Sequence, residues 1–181
     1  MKKIMAFGAS NSKNSINKLF ANYAASQIQN STIDLLDLND FEMPIYSIDI
    51  ERESGIPEAA YQFRKLIHDA DGIIISFAEH NGHYTVAFKN IFDWLSRIDR
   101  NIWMNKPMFL LATAPGPRGA QKVLGHASID MARKGGEITG VFSLPRFRDT
   151  FSKDSGIQDP EINLIFNEQL LKFEASLIQV V

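Results

Sequence analysis

Apolar residues in this chain switch repeatedly between unbroken runs and helical spacing. Ile4-Met5-Ala6-Phe7 is a continuous apolar run, the pattern of a strand covered on both faces. After a polar stretch from Ala9 to Ser15, positions Ile16, Leu19, Phe20, Tyr23, Ala24 and Ile28 follow a helical repeat. Ile33 to Leu38 alternates apolar and acidic residues and predicts an edge strand. Phe41 to Ile56 reads as loop, with Pro44 and Gly55, and Pro57 suits the first turn of a helix running to about Ala70. Gly72-Ile73-Ile74-Ile75-Ser76-Phe77 is the clearest strand. A second polar loop, Ala78 to Thr85, leads to a helix with Phe88, Ile91, Phe92 and Leu95 on one face. Lys106-Pro107 opens a strand over Met108 to Ala112. Thr113 to Gly119 is a Gly/Pro-rich loop before a helix carrying Val123, Leu124, Ala127 and Met131. Gly135-Gly136 stops that helix, and Ile138 to Phe142 is a fifth strand. Arg146 to Gly156 reads as a polar loop, and Ile162, Ile165, Phe166, Leu170, Phe173 and Leu177 as a last amphipathic helix.

Five strands alternating with helices predict an α/β fold, a doubly wound parallel sheet with helices on both faces. The common strand order for this count is 2-1-3-4-5, with the switch point between the first and third strands. Ligands in such sheets bind beyond the carboxyl ends of the strands near that switch. The three unusual loops follow strands one, three and four, which are neighbours in this order. They are expected to meet on one rim.

Whole-chain properties narrow the classes. The 181 residues suit one domain spanning 1–181, and 45% apolar with 22% charged residues is a globular composition. A net charge of -2 and the lack of a basic block argue against a nucleic-acid partner. Cysteine is absent, which excludes disulfides, a thiol nucleophile and thiolate-bound metal. The apolar run after Met1-Lys2-Lys3 is too short for a signal-peptide core, and no run approaches membrane-spanning length. A soluble cytoplasmic protein, with no membrane partner, is the expectation.

Each loop carries candidate chemistry beside a plainer reading. Ser10, Ser12 and Ser15 add hydroxyls to a helix N-terminus, which suits a phosphate monoester, although Ser15 or Asn14 also suits an ordinary N-cap. The loop matches neither GxxxxGK[ST] nor GxGxxG. Glu79, His80, Asn81 and Gly82 could meet the edge of a planar heterocycle. Glu79, His80 and His83 could instead form an acid–base or metal group, but no metal-ligand spacing accompanies them. Ala114, Pro115 and Gly116 lie where backbone could approach a flat ligand, or simply turn from strand to helix.

Together these segments resemble the NADPH-dependent FMN reductase family, which has a flavodoxin-like fold and includes flavin, quinone, azo-dye and chromate reductases. Ala9-Ser10-Asn11-Ser12-Lys13-Asn14-Ser15-Ile16-Asn17 resembles the family's Gly-Ser-x-Arg-x-x-Ser-x-Asn phosphate loop, with Ser12 at the arginine position and Lys13 as the adjacent cation. Ala78-Glu79-His80-Asn81 resembles its Pro-Glu-Tyr-Asn flavin loop, with alanine and histidine in place of proline and tyrosine. Phe88-Lys89-Asn90-Ile91-Phe92-Asp93-Trp94 resembles the helix that follows, and Thr113 to Gly119 the third loop. The resemblance implies FMN as cofactor, NADPH or NADH as electron donor, and ping-pong hydride transfer to flavin N5 and onward to a small-molecule acceptor (flavin, quinone, azo compound or metal ion). It implies phosphate contacts from Ser10, Ser12, Ser15, Ile16 and Asn17. Ring contacts would come from Glu79, His80, Asn81 and Gly82, with Ala114, Pro115 and Gly116 closing the site and no catalytic side chain. It also implies a homodimer or homotetramer. Trp94, Ile98, Ile102 and Trp103 could supply that contact, or could complete the core. A flavodoxin-type electron carrier and a flavin-free binding module are the alternatives on the same fold.

Overall fold

A computed structural model describes residues 1–177. The one-domain expectation for 1–181 therefore extends four residues past them. The elements run β1 (Lys2–Ala9), α1 (Ile16–Ser26), β2 (Ser31–Leu36), α2 (Ile48–Ser54), α3 (Glu58–Asp69), β3 (Gly72–Phe77), α4 (Val86–Ile98) and β4 (Pro107–Thr113). They continue with α5 (Gln121–Arg133), β5 (Glu137–Leu144), a single turn α6 (Phe147–Thr150), β6 (Phe151–Ser152), β7 (Gly156–Ile157) and α7 (Pro160–Ser176). The five main strands are parallel in the order β2-β1-β3-β4-β5, as the sequence pattern predicts. Beyond the carboxyl end of the β1/β3 pair lies the switch point.

Alternation along the central strands divides the core into two layers. Ile4 and Ala6 of β1, Ile74 of β3, and Phe109 and Leu111 of β4 face α1 and α7, where they meet Phe20, Phe166 and Phe173. The intervening Met5, Phe7, Ile73, Ile75, Met108 and Leu110 face α3, α4 and α5, and meet Phe63, Phe88 and Val123. β3 and β4 are buried along their whole length, which explains their unbroken apolar runs. Of the outer strands, β2 buries no residue, and β5 buries Gly140, Phe142 and Leu144 while leaving Glu137 and Val141 exposed.

Several expectations need correction. The second strand occupies Ser31–Leu36, and Leu38 instead opens a 3-10 turn capped by Asp37. The expected loop Phe41 to Ile56 contains α2, which is capped by Ser47 and buries no residue. With no buried face it has no hydrophobic repeat to show. The expected loop Arg146 to Gly156 contains α6 and most of the β6–β7 hairpin. In α7, Ile165 points outward at 52% exposure, while Phe166, Leu170 and Phe173 are buried. Trp94, Ile102 and Trp103 are buried within the chain and Ile98 packs half-buried against the same core, so these residues complete the core.

Candidate active site

Close packing of α1 against β1 builds the first part of the rim. A Cβ on Gly8 would lie 2.3 Å from the Lys18 backbone nitrogen, so glycine is what lets the helix begin this near the strand end. Ser15 caps α1: its hydroxyl oxygen accepts the Lys18 amide at 3.2 Å, which leaves the hydroxyl proton free to donate elsewhere. The Ile16 and Asn17 amides sit in the first turn, where no helical carbonyl is available to them. Within the loop, Ser10 Oγ accepts the Ser12 amide at 3.1 Å.

Asn17 has a role the sequence does not announce. Its side chain is buried; Oδ1 accepts from Ser76 Oγ at 2.7 Å and from the Thr113 amide at 3.1 Å. Its Nδ2 donates to the Thr113 carbonyl at 3.2 Å. One amide therefore ties the start of α1 to the ends of β3 and β4. Only the Asn17 backbone amide is left to face a ligand.

The second loop is a tight hairpin. His80 and His83 exchange two backbone hydrogen bonds of 3.0 Å across Asn81-Gly82, both of which have positive φ (54° and 80°). That is the geometry Asn-Gly favours in a two-residue turn. The Thr85 hydroxyl donates to the Ala9 carbonyl at 2.9 Å and accepts the Phe88 amide at 3.2 Å, so it caps α4 and fastens it to β1. Glu79 reaches in the other direction: its Oε2 accepts the Val123 amide at 3.0 Å. The residue before α5, Ala120, has no capping side chain, and Glu79 takes over that function from another loop. His83 Nδ1 accepts the Tyr84 amide at 3.0 Å, and its ring stacks on His126 at 4.7 Å.

The third loop is pinned from behind. The Phe147 amide donates to Ala114, the Arg146 amide to Gly116, and the Ser143 hydroxyl to Gly119. The Thr113 hydroxyl donates to the Leu144 carbonyl at 2.7 Å. Three rigid loops thus surround one hollow of about 210 Å³, lined by Ser10, Ser12, Ser15, Ile16, Asn17, Glu79, His80, Ala114 and Pro115, together with Asn14, Ala78 and Thr113. Gly116 lies on a neighbouring hollow of about 330 Å³ that shares Glu79 and Ala114. Asn81 and Gly82 line neither and form the turn that presents His80. Lys13 lines an adjoining groove instead, so the cation closest in sequence to Ser12 stands outside the hollow. Hydroxyls and free helix amides at one end, with hairpin and Ala-Pro backbone at the other, suit a phosphate joined to a flat ring. The donor set fits FMN.

The Lys89 to Trp94 stretch proves structural. Asn90 Oδ1 accepts the Tyr46 amide at 2.8 Å, and its Nδ2 donates to Pro44 at 3.1 Å. Trp94 Nε1 donates to the same Pro44 carbonyl at 2.8 Å. Lys89 pairs with Asp93 one turn along the helix. These side chains staple the segment before α2 onto α4.

Comparison with known proteins bears on the family and the fold. Residues 2–148 match the family described as NADPH-dependent FMN reductase. The chain is 32% identical over 126 residues to a 2-hydroxy-1,4-benzoquinone reductase of Burkholderia sp., covering 68% of this chain and 67% of that protein. It is 29% identical over 85 residues to a quinone reductase of Escherichia coli, covering 47% of this chain and 45% of the other. The matched region is thus about two thirds of one relative's length and about half of the other's. Among solved structures, the flavoenzyme NAD(P)H:(acceptor) oxidoreductase FerB from Paracoccus denitrificans has the same fold. Its TM-score is 0.78 at 21% identity, covering 99% of this chain and 98% of that one. The chain belongs to the NADPH-dependent FMN reductase family, with FMN as the cofactor and NAD(P)H as the donor that the sequence resemblance implied.

Proposed function

We propose that this chain is a single-domain FMN-dependent NAD(P)H oxidoreductase that holds its flavin in the rim hollow and reduces a small acceptor of the quinone class. The observation that carries the reading is the convergence of the α1 N-terminus, the His80–His83 hairpin and Ala114-Pro115 on one hollow. When bound, FMN supplies the redox chemistry, accepting hydride from NAD(P)H and passing electrons to the acceptor. The chain's part is binding and orientation. Amides of Ile16 and Asn17 and hydroxyls of Ser10, Ser12 and Ser15 hold the phosphate; backbone at Glu79, His80 and Ala114 to Gly116 flanks the ring. Asn81 and Gly82 act by fixing the turn. His80, Pro115 and Gly116 are exposed, which leaves the rim open to a planar acceptor. The names of both curated relatives support a quinone.

No helix among the described residues is long and apolar enough to cross a membrane. Together with the use of a cytoplasmic donor, this supports cytoplasmic action. The reading includes a homodimer or homotetramer, which light scattering of the purified chain reads directly.

Titration with FMN and riboflavin tests the site. Ser15→Ala removes both a phosphate donor and the α1 cap, so some stability, about 1 kcal/mol, is lost in any case. The expected result is a larger loss of affinity for FMN than for riboflavin, which lacks the phosphate. Equal losses remove the loop from the phosphate role, and failure of the wild-type chain to bind FMN removes the reading altogether.

A further inference from the structure

The wall of Asn14, Ser15 and Ile16 that bounds the phosphate end of the hollow also bounds a second depression. This groove holds about 500 Å³, within the range of roughly 300–1,000 Å³ common for small-molecule sites. Its floor is apolar, made by Ile16, Leu19 and the half-exposed Leu35 of the edge strand β2. Its rim is cationic. Lys13 and Lys153 have no carboxylate within ion-pair distance among the described residues, whereas Lys18 is tied to Asp37 at 2.6 Å. Lys153 comes from the turn of the β6–β7 hairpin, which the packing of Phe151 edge-on against Tyr23 at 5.1 Å holds against α1. A Cβ on Gly156 would meet the Tyr23 ring at 2.5 Å, so the hairpin lies hard against that side chain.

A phosphate bound at the α1 N-terminus therefore has the flavin-ring hollow on one side and this cationic, apolar-floored groove on the other. We propose that the groove receives the adenylate half of a flavin dinucleotide, so that the protein binds FAD as well as FMN. The assignment rests on the flavin reading above. Lys13 and Lys153 oppose the charge of the second phosphate, the base lies on the Ile16, Leu19 and Leu35 surface, and the Asn14 and Asn22 amides offer hydrogen bonds to its polar edge. Lys13, Lys153, Leu19, Asn22 and Leu35 line the groove and not the hollow, so a phosphate monoester held in the hollow leaves them unused, which gives the groove a ligand chemistry of its own.

Isothermal titration of the full chain with riboflavin, FMN and FAD tests the proposal, alongside the double variant Lys13→Ala/Lys153→Ala. Both lysines are exposed, so the substitutions leave the core intact, and FMN affinity serves as the control for folding. The expected result is FAD binding at least as tight as FMN binding. In the double variant FAD should weaken by roughly tenfold and FMN by less than about threefold, as loss of charge-assisted contacts to one phosphate implies. FMN binding with FAD much weaker, or equal losses for both in the double variant, overturns the groove assignment while leaving the flavin site standing. Binding of 2′,5′-ADP to FMN-loaded protein that disappears in the double variant gives the groove to the nucleotide donor and likewise overturns it. Absence of FMN binding is a different failure, that of the underlying flavin reading.

Discussion

The Glu79 carboxylate accepts the Val123 amide across two loops, at 3.0 Å, and so caps a helix to which it does not belong. The α5 N-terminus carries partial positive charge and unpaired amides, and Ala120 has no side chain able to satisfy them. Glu79 therefore fixes the loop after β3 relative to the loop after β4, the two sides of the ring end of the hollow. Glu79→Ala is expected to lower stability by about 1 kcal/mol, the usual cost of a lost cap. Glu79→Gln keeps an acceptor and is expected to retain most of that stability. Urea unfolding measures the totals, and amide exchange over residues 114–124 shows whether the loosening is local to the third loop.

A larger effect is expected at Asn17. Asn17→Ala strands the Ser76 hydroxyl, the Thr113 amide and the Thr113 carbonyl, which the native side chain satisfies out of contact with water. Each unsatisfied buried group costs roughly 1–3 kcal/mol, and partial relaxation should bring the total loss to about 2–4 kcal/mol. Asn17→Asp should be no better, because a carboxylate turns the donor facing the Thr113 carbonyl into a second acceptor. Denaturant midpoints compare the two variants, and a loss under about 0.5 kcal/mol for Asn17→Ala would rule out the bracing role.

The sheet and its rim were legible in the sequence because they follow from short-range signals. Runs such as Ile73-Ile74-Ile75 mark a strand buried on both faces, and Asn81-Gly82 supplies its own turn geometry. The strand order follows from the element count, and the rim from the order. The side-chain contacts that join the loops were not legible. Glu79 meets Val123, and Asn17 meets Thr113, only once the sheet has brought distant segments together. The helix α2 was missed because it buries no residue, although Ser47 with Asp49 and Glu51 is an N-terminal signature that charge and capping alone could have revealed. Trp94 and Trp103 show the limit of composition: the same aromatics serve a core or an interface until α4 is seen to bury Trp94 and the turn after it to bury Trp103.

Asn90 and Trp94 should prove to be loop-holding residues. Asn90→Ala removes the acceptor for the Tyr46 amide and the donors to Met43 and Pro44, and Trp94→Phe removes only the bond to Pro44. The segment from Phe41 to Ser47 is expected to become sensitive to limited proteolysis in Asn90→Ala, with a global loss of about 1–2 kcal/mol. Trp94→Phe should lose less through that bond, although removal of the larger buried ring adds a cavity cost of its own. Cleavage sites mapped by mass spectrometry distinguish local release from general unfolding.

Asp37 makes stability respond to acid. Its Oδ2 accepts Lys18 Nζ at 2.6 Å, while Oδ1 accepts the Asn39 amide at 3.0 Å and caps the 3-10 turn beside the first loop. The Lys18 hydrogen bond, followed by the one from the Asn39 backbone, holds the carboxyl below its ordinary value of 3.8. The native state therefore favours the ionised form more than the unfolded chain does. The resulting stabilisation is complete above about pH 5 and is lost as pH falls through 3.8 toward the lowered native value. Asp37→Asn should be less stable than the wild type by a constant margin at neutral pH, and that margin should shrink below pH 3.8. Urea unfolding of both proteins across the acid range measures it. A margin that stays the same from neutral pH down to about pH 3 would mean that the ionised carboxylate contributes nothing beyond what an asparagine amide supplies.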